Sequence, residues 1–229
     1  MCVAWLRSSV GKKAAMAATG LLLLAFVIAH LAGNLLIFAG QDALNAYADK
    51  LRRMWWLLWL ARAGLLAAVL VHVWLAVVLT RDNRAARPIR YAAWHPARTT
   101  AAARTMMASG LLVTAFIVYH LLHFTFRVTH PAVSHLTDAL GRHDVFSMVV
   151  RSFSDPALVI AYVAAMGMLC LHLGHGAASW LQSLGLNSER LLPVVEHIGR
   201  LTAWLIFLGY SAIPLSIFFG LIAPSGSLR

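Results

Sequence analysis

Acid is the scarcest chemistry in this sequence: Asp and Glu number 8 against 19 Lys and Arg, and charged residues of any kind make up only 12% of 229. No Asp or Glu falls in any of the long apolar stretches, so a carboxylate-based catalytic pair or carboxylate-rich metal site inside them is excluded. Cysteine is almost missing. Cys2 and Cys170 stand in unlike settings, one at a terminus and one inside an apolar stretch, which argues against a disulfide framework; there is no C-x-x-C-H, which rules out covalent c-type haem attachment.

What the sequence has instead is apolar length. With 61% hydrophobic residues and a mean hydropathy of +0.75, a water-soluble domain could not hide its own surface. Crossing about 30 Å of hydrocarbon takes about 20 apolar residues in a helix, which satisfies its own backbone polar groups. Five segments qualify: Ala14 to Ala39, Trp55 to Thr80, Thr105 to Phe126, Pro156 to Leu181 and Leu201 to Ala223, with Arg62 the one charge among them. The expected fold is an all-α bundle of five transmembrane helices in a single domain. The first segment outruns a signal-peptide h-region and no A-x-A-like site follows, so it is expected to remain as an anchor.

The net charge of +11 follows the positive-inside pattern and implies no nucleic-acid partner. Arg7, Lys12 and Lys13 precede the first segment. Arg81, Arg84, Arg87, Arg90, Arg98 and Arg104 lie between the second and third, and Arg190 and Arg200 between the fourth and fifth. These segments are expected in the cytoplasm of a bacterial cell whose inner membrane holds the chain, with the N-terminus inside and the C-terminus outside. Pro88 and Pro96 forbid continuous helix in the long basic loop, which suits anionic lipid or a docked soluble partner. On the opposite side, Ala43 to Leu51 reads as a short interfacial helix. Trp55, Trp56 and Trp59 read as headgroup-depth anchors. His130, His135 and His143, with Asp138 and Asp144, are too loosely spaced to favour zinc over solvated loop histidines. Pro214 should kink the fifth helix.

The intramembrane histidines are the informative feature: His30, His72, His120 with His123, and His172 with His175. Ionisable residues in lipid are costly and face the bundle interior, where they mark function. An internal repeat supports equivalence of two of them. TGLLLLAFVIAHLAGNLLIF from Thr19 and SGLLVTAFIVYHLLHF from Ser109 share a hydroxyl residue, Gly, Ala-Phe and His-Leu, with Gly20–His30 and Gly110–His120 both ten apart. At 1.5 Å per residue, His30 lies about 24 Å and His120 about 22 Å from the inner ends of their helices, whereas His72 and His172 lie about 12 and 13 Å from theirs.

Two histidines at each of two levels are what bis-imidazole ligation of two stacked haems b requires, and such iron cycles only between ferrous and ferric. The repeat selects His120 over His123, and depth selects His172 over His175. His175 remains a partner for an inner haem propionate, along with Lys13, Arg104 and Arg84; Arg62 lies at the level of the outer one. Ala29, Ala32, Gly33, Gly174 and Gly176 would let a flat macrocycle approach closely, or equally serve helix packing.

Segments spanning nearly the whole chain carry a resemblance: HLAGNLLIFAGQDALNAYADKL from His30, RAGLLAAVLVH ending at His72, NRAARPIRY from Asn83, SGLLVTAFIVYHLLHF, and HLGHGAASWLQSLGLN from His172. In order and spacing the chain resembles the membrane cytochrome b subunit of succinate:quinone oxidoreductases (succinate dehydrogenase and fumarate reductase), of the single-chain, five-helix, two-haem type. The resemblance implies His30 with His120 at the outer haem and His72 with His172 at the inner one. It implies a flavoprotein subunit with FAD and an iron–sulfur subunit with its iron–sulfur clusters on the cytoplasmic face, and leaves room for a higher oligomer. It also implies a quinone, menaquinone by default, and the respiratory role of complex II in the tricarboxylic acid cycle.

The quinone's carbonyl partners are expected in the outer segment, Asn45, Tyr47, Asp49 and Trp55; an inner pocket near Ser179 and Gln182 is the alternative. Some fumarate reductases of this type carry a glutamate near the helix-four ligand, and Met168, Leu169, Cys170 and Leu171 supply none here. Two rival readings stand beside the first. One is the cytochrome b of a nitrate reductase, formate dehydrogenase or hydrogenase; the other is a haem-free transporter with a histidine proton relay.

Overall fold

The computed structural model describes residues 8–86, 101–183, 188 and 190–223, the side chains of 101–104, 177–179 and 181–183 excepted. Arg7, Cys2, Arg87, Pro88, Arg90, Pro96 and Arg98 therefore lie outside the described residues, as do the side chains of Arg104, Ser179 and Gln182. Helices dominate the rest: α1 Ser9–Asn34, α2 Gln41–Arg53, α3 Trp55–Ala85, α4 Ala101–His120, α5 Pro131–Ser134, α6 Val145–Ser152, α7 Pro156–Ser183 and α8 Leu191–Phe218. A 3₁₀ turn, Leu35–Ala39, extends α1, and a π turn, Leu121–Thr125, extends α4. With those extensions five helices, carried by α1, α3, α4, α7 and α8, are long and apolar enough to cross a membrane. The chain is a multi-pass membrane protein.

Local chemistry sets the ends. Ser8 caps α1 by accepting from the Gly11 amide at 3.0 Å, and Asp144 caps α6 through the Ser147 amide at 3.0 Å. Gly40, at φ 98°, makes the left-handed step between the 3₁₀ turn and α2 that a side chain would resist. Pro131 and Pro156 open α5 and α7, positions where the missing amide hydrogen costs nothing. Several helices run past their apolar stretches: α1 starts at Ser9 rather than Ala14, α3 reaches Ala85, and α8 starts at Leu191, ten residues before the expected Leu201. The hydrogen-bond ladder has no reason to stop where hydrocarbon stops, and Glu196 and Arg200 continue it.

In the bundle α7 packs on α8, α4 and α1, while α3 packs chiefly on α1. Lys12 on α1 and Asp82 on α3 are joined by an ion pair of 2.6 Å. Tyr210 on α8 donates to the Val27 carbonyl of α1 at 2.8 Å. A cluster of buried apolar residues lies at the end of the bundle that carries α2, α5 and α6, here the cap end: Ile37, Leu44, Phe146, Val150, Phe153 and Tyr162 belong to it, with others from α7 and α8.

The segment between α4 and α7, expected as a loop with solvated histidines, is instead folded into a polar knot against α2. Asn45 is 0% exposed. Its amide donates to Asp144 at 3.0 Å and Asp138 at 3.2 Å, and its carbonyl accepts from the Phe146 amide at 3.0 Å. Gln41 donates to Asp144 at 2.9 Å. Arg142 bridges Asp138 at 2.8 Å and Asp42 at 2.7 Å. One buried asparagine can order so long a segment because every polar atom in a low-dielectric site must find a partner, and α2 presents the right ones.

Candidate haem-ligating histidine pairs

The bundle brings four of the intramembrane histidines together two by two. His30 on α1 and His120 at the end of α4 have ring centroids 5.9 Å apart, with planes crossing at 83°. His72 on α3 and His172 on α7 are 6.4 Å apart and cross at 68°. With metal–nitrogen bonds of about 2.0 Å and about 1.1 Å from ring nitrogen to ring centre, two imidazoles on opposite sides of one metal ion have centroids about 6.2 Å apart. Both separations sit at that value.

The local surroundings decide which ring nitrogen each histidine of the second pair presents. The Thr19 hydroxyl spends its single proton on the Ala15 and Met16 carbonyls, at 2.9 and 3.0 Å. With that proton so placed, the 3.1 Å contact with His72 Nδ1 is one the ring donates, in its Nδ1–H tautomer. Ser109 donates to the Met106 carbonyl at 3.1 Å, so His172 Nδ1 likewise donates to Ser109, at 3.4 Å. Each ring then carries its proton on Nδ1 and its lone pair on Nε2. That tautomer is the one that ligates a metal through Nε2, with the other nitrogen held from outside.

The glycines next to these hydroxyls make the approach possible. A Cβ on Gly20 would lie 3.4 Å from His72 Cε1, and one on Gly110 only 3.1 Å from His172 Cε1. The internal repeat thus has a physical sense: the hydroxyl–Gly pair of one helix seats the histidine of a neighbour at one level, while the histidine ten residues on serves the other level. Gly33, by contrast, leaves no macrocycle clearance. The Tyr47 ring occupies that space, with its hydroxyl 2.7 Å from where a Cβ would stand.

The His30–His120 pair has a more aromatic setting. Phe26 stacks on His30 at 5.3 Å, and Phe116, Phe124 and Tyr162 surround His120. Among the described residues, His120 Nδ1 is a buried nitrogen with no hydrogen-bond partner. A metal held at Nδ1 itself would satisfy that nitrogen, whereas one held at Nε2 would leave it without the outer partner that Thr19 and Ser109 give the other pair.

His123 does something the sequence did not suggest. It is 0% exposed and lies in the π turn. Ser152 gives its proton to the Met148 carbonyl at 2.8 Å, so it accepts from His123 Nε2 at 3.1 Å; Nδ1 then accepts from the Tyr162 hydroxyl at 2.9 Å. Both ring nitrogens are satisfied, which makes His123 the brace that joins α4, α6 and α7. The repeat already singled out His120, but the bracing role of His123 depends on the π turn that holds it, and sequence periodicity does not announce π turns.

The remaining expected site residues are scattered. Lys13 and Arg84 are exposed at the ends of α1 and α3, and His175 is half-buried one turn beyond His172. Arg62 is exposed and lies over the Trp59 ring at 5.1 Å. At the cap end, Asp49 pairs with Arg53 at 2.7 Å, Trp55 is 67% exposed and Tyr47 leans on Gly33. Asn45 has both amide protons committed within the knot, leaving none to donate to a quinone carbonyl. The cavity at this end, about 270 Å³, is lined by other residues, among them Arg52, Arg127 and His143.

Among the described residues no three His, Cys, Asp or Glu gather as a metal site, and His130, His135 and His143 are no exception. Paired histidines alone suit a metal whose other ligands come with it, as they do from a porphyrin. No protein-family model, no curated protein and no solved structure matches the chain.

Proposed function

We propose that the chain is a dihaem cytochrome b, the membrane subunit of a succinate:quinone oxidoreductase that carries electrons between an iron–sulfur subunit and a membrane quinone. The observation that supports the haem reading best is that four of the intramembrane histidines meet as two couples from different helices, with ring centroids 5.9 and 6.4 Å apart. His30 and His120 would hold one haem b, and His72 and His172 the other. Bound there, haem b would supply one-electron ferrous/ferric chemistry with no open coordination position.

The chain's own contribution is orientation and electrostatics. Thr19 and Ser109 fix the tautomer and tilt of His72 and His172 and make their Nε2 better donors. Gly20 and Gly110 keep the helices close enough for the rings to meet. The aromatic shell of Phe26, Phe116 and Phe124 keeps water from the other pair. The narrower assignment to succinate:quinone oxidoreductases rests on the sequence resemblance. With it come the flavoprotein with FAD and the iron–sulfur subunit at the Lys12 end, the end we assign to the cytoplasm from the positive-inside pattern of the sequence. The quinone, menaquinone by that resemblance, is assigned to the cap end, with Tyr47 and Trp55 as the candidate contacts and Asp49 engaged by Arg53.

A dithionite-reduced spectrum of the purified protein tests the haem reading: about two haems b per chain are expected, and absence of haem would overturn it. Co-purification with a succinate-oxidising flavoprotein tests the family. A nitrate, formate or hydrogen-linked partner in its place would leave the haems and reassign the complex.

A further inference from the structure

At the cap end, away from the histidine pairs, a cavity of about 270 Å³ opens between the last turn of α2, the exit of the π turn and the segment after α5. Its polar lining is Arg52, Arg127, His135, His143 and Thr137, and no acidic side chain lines it. A water takes roughly 30 Å³, so the space is ample for a tetrahedral oxyanion with part of its hydration.

The acids nearby do not compensate this charge. Asp138 and Asp42 are taken by Arg142, Asp49 by Arg53, and Asp144 by Asn45 and Gln41. Among the described residues neither Arg52 nor Arg127 belongs to an ion pair. Burial, first, and then the Arg127 and Arg52 cations hold the His143 pKa below its ordinary value, against the Leu136 carbonyl and Asp144. The same two arginines thus bear on one point from different elements.

Arg127 is also preset. Its φ of 59° is left-handed, unusual for a residue with a side chain. Nη1 is fixed by the Ser134 carbonyl at 3.3 Å and by His143 Nε2 at 3.1 Å. Those bonds use one corner of the guanidinium; a planar fork so held offers its remaining N–H groups to an oxyanion with little further loss of freedom. A strained backbone that aims a guanidinium into a cationic cavity points to binding rather than to packing.

From this we infer that the cap cavity binds a phosphate-class oxyanion through Arg127 and Arg52, with Thr137 as a hydroxyl donor. Arg52 precedes the exposed Trp55 and Trp56, and tryptophans of this kind mark headgroup depth. The phosphate is accordingly that of an anionic lipid headgroup or a free phosphate ion reaching the same site.

The test uses the full chain, purified and delipidated in neutral detergent, with ³¹P line broadening of inorganic phosphate and native mass spectrometry of retained phosphatidylglycerol as the two arms. Binding in at least one arm is expected to weaken about tenfold in Arg52→Gln and in Arg127→Gln, the loss of a charge-assisted bond to an anion. Displacement of phosphate by phosphatidylglycerol identifies the lipid as occupant, and phosphate binding that the lipid does not displace identifies the free ion. Arg53→Gln, next door but outside the lining, should bind as the parent does. Arg52 is exposed and, among the described residues, its side chain makes no hydrogen bond or ion pair, so its variant decides the matter even if Arg127→Gln loosens the cap. No binding in either arm, or equal loss in Arg53→Gln, overturns the site.

Discussion

His72 on α3 donates its Nδ1 proton to the hydroxyl of Thr19 on α1, 3.1 Å away, because that hydroxyl has already given its own proton to the turn before it. The helix that carries one histidine ligand candidate therefore also sets the tautomer of another, on a different helix and at a different depth.

Replacing histidines should separate the two levels. His72→Ala and His172→Ala should each lower the haem content from about two per chain to about one and remove the same spectral component, and His30→Ala and His120→Ala the other. Pyridine-haemochrome titration with low-temperature difference spectra checks this. Loss of the same component from all four would undo the pairing.

Thr19→Val keeps the shape of the side chain and removes the acceptor for His72. Weakening a partner behind a ligand typically costs about 10- to 100-fold in metal affinity, so haem retention at the His72–His172 level should fall and its redox potential shift, with the other level unchanged. Ser109→Ala should act on the same level through His172. A haem-by-haem potentiometric titration in which both variants match the parent would remove these hydroxyls from the site.

Gly110→Ala and Gly20→Ala differ by a few tenths of an ångström and should differ in effect. At 3.1 Å from His172 Cε1 the new methyl forces the ring to move, while 3.4 Å from His72 Cε1 is ordinary contact. Haem content and thermal stability should drop in the first variant and change little in the second; equal tolerance would mean that α4 and α7 part more easily than their packing indicates.

His123→Leu should destabilise the folded protein by about 1–3 kcal/mol, since it strands the Tyr162 hydroxyl in an apolar site. Adding Tyr162→Phe should recover part of that loss, because the stranded group goes with it. Thermal unfolding in detergent of the two single variants and the double variant measures this coupling; strict additivity would deny the brace.

The cap knot should make stability depend on pH. Burial alone would push the Asp138 and Asp144 carboxyls up, but the hydrogen bonds from Arg142 and Asn45 to the first, and from Ser147, Asn45 and Gln41 to the second, outweigh it and hold both below the usual carboxylate range. Their contribution is present above the unfolded carboxylate value of about 4 and is lost as pH falls through the folded values. His143, held down mainly by burial, acts earlier: the unfolded chain takes up its proton near pH 6.5, roughly, before the folded one does, so stability declines as pH drops below that. The unfolding midpoint should be flat from pH 8 to 7 and fall below it, and His143→Gln should remove the first part of the decline. A midpoint that rises on acidification would reverse the sign.

Apolarity and helical rise are local properties, and they were enough to read five spans and the two levels into which His30, His120, His72 and His172 fall. The repeat around Gly20 and Gly110 was legible too, but not what it was for. Which hydroxyl faces which ring depends on how α1 and α4 are rotated against α3 and α7, and rotation is fixed by packing between helices, not by any one sequence. The same reason hid the rest. Asn45, read as a quinone contact, and the segment through Asp138 and Asp144, read as solvated, find each other only because α2 folds back over the bundle end, where buried polar groups must be paired. The repeat set His120 apart from His123, but the part His123 plays was hidden, because the π turn gives its ring neighbours on two other helices. The sequence by itself determined that this is a helical membrane protein with histidines at two levels. Only the tertiary structure decided which rings face each other, which nitrogen each presents, and which polar residues close the cap, since each of those depends on distances between segments that no local pattern encodes.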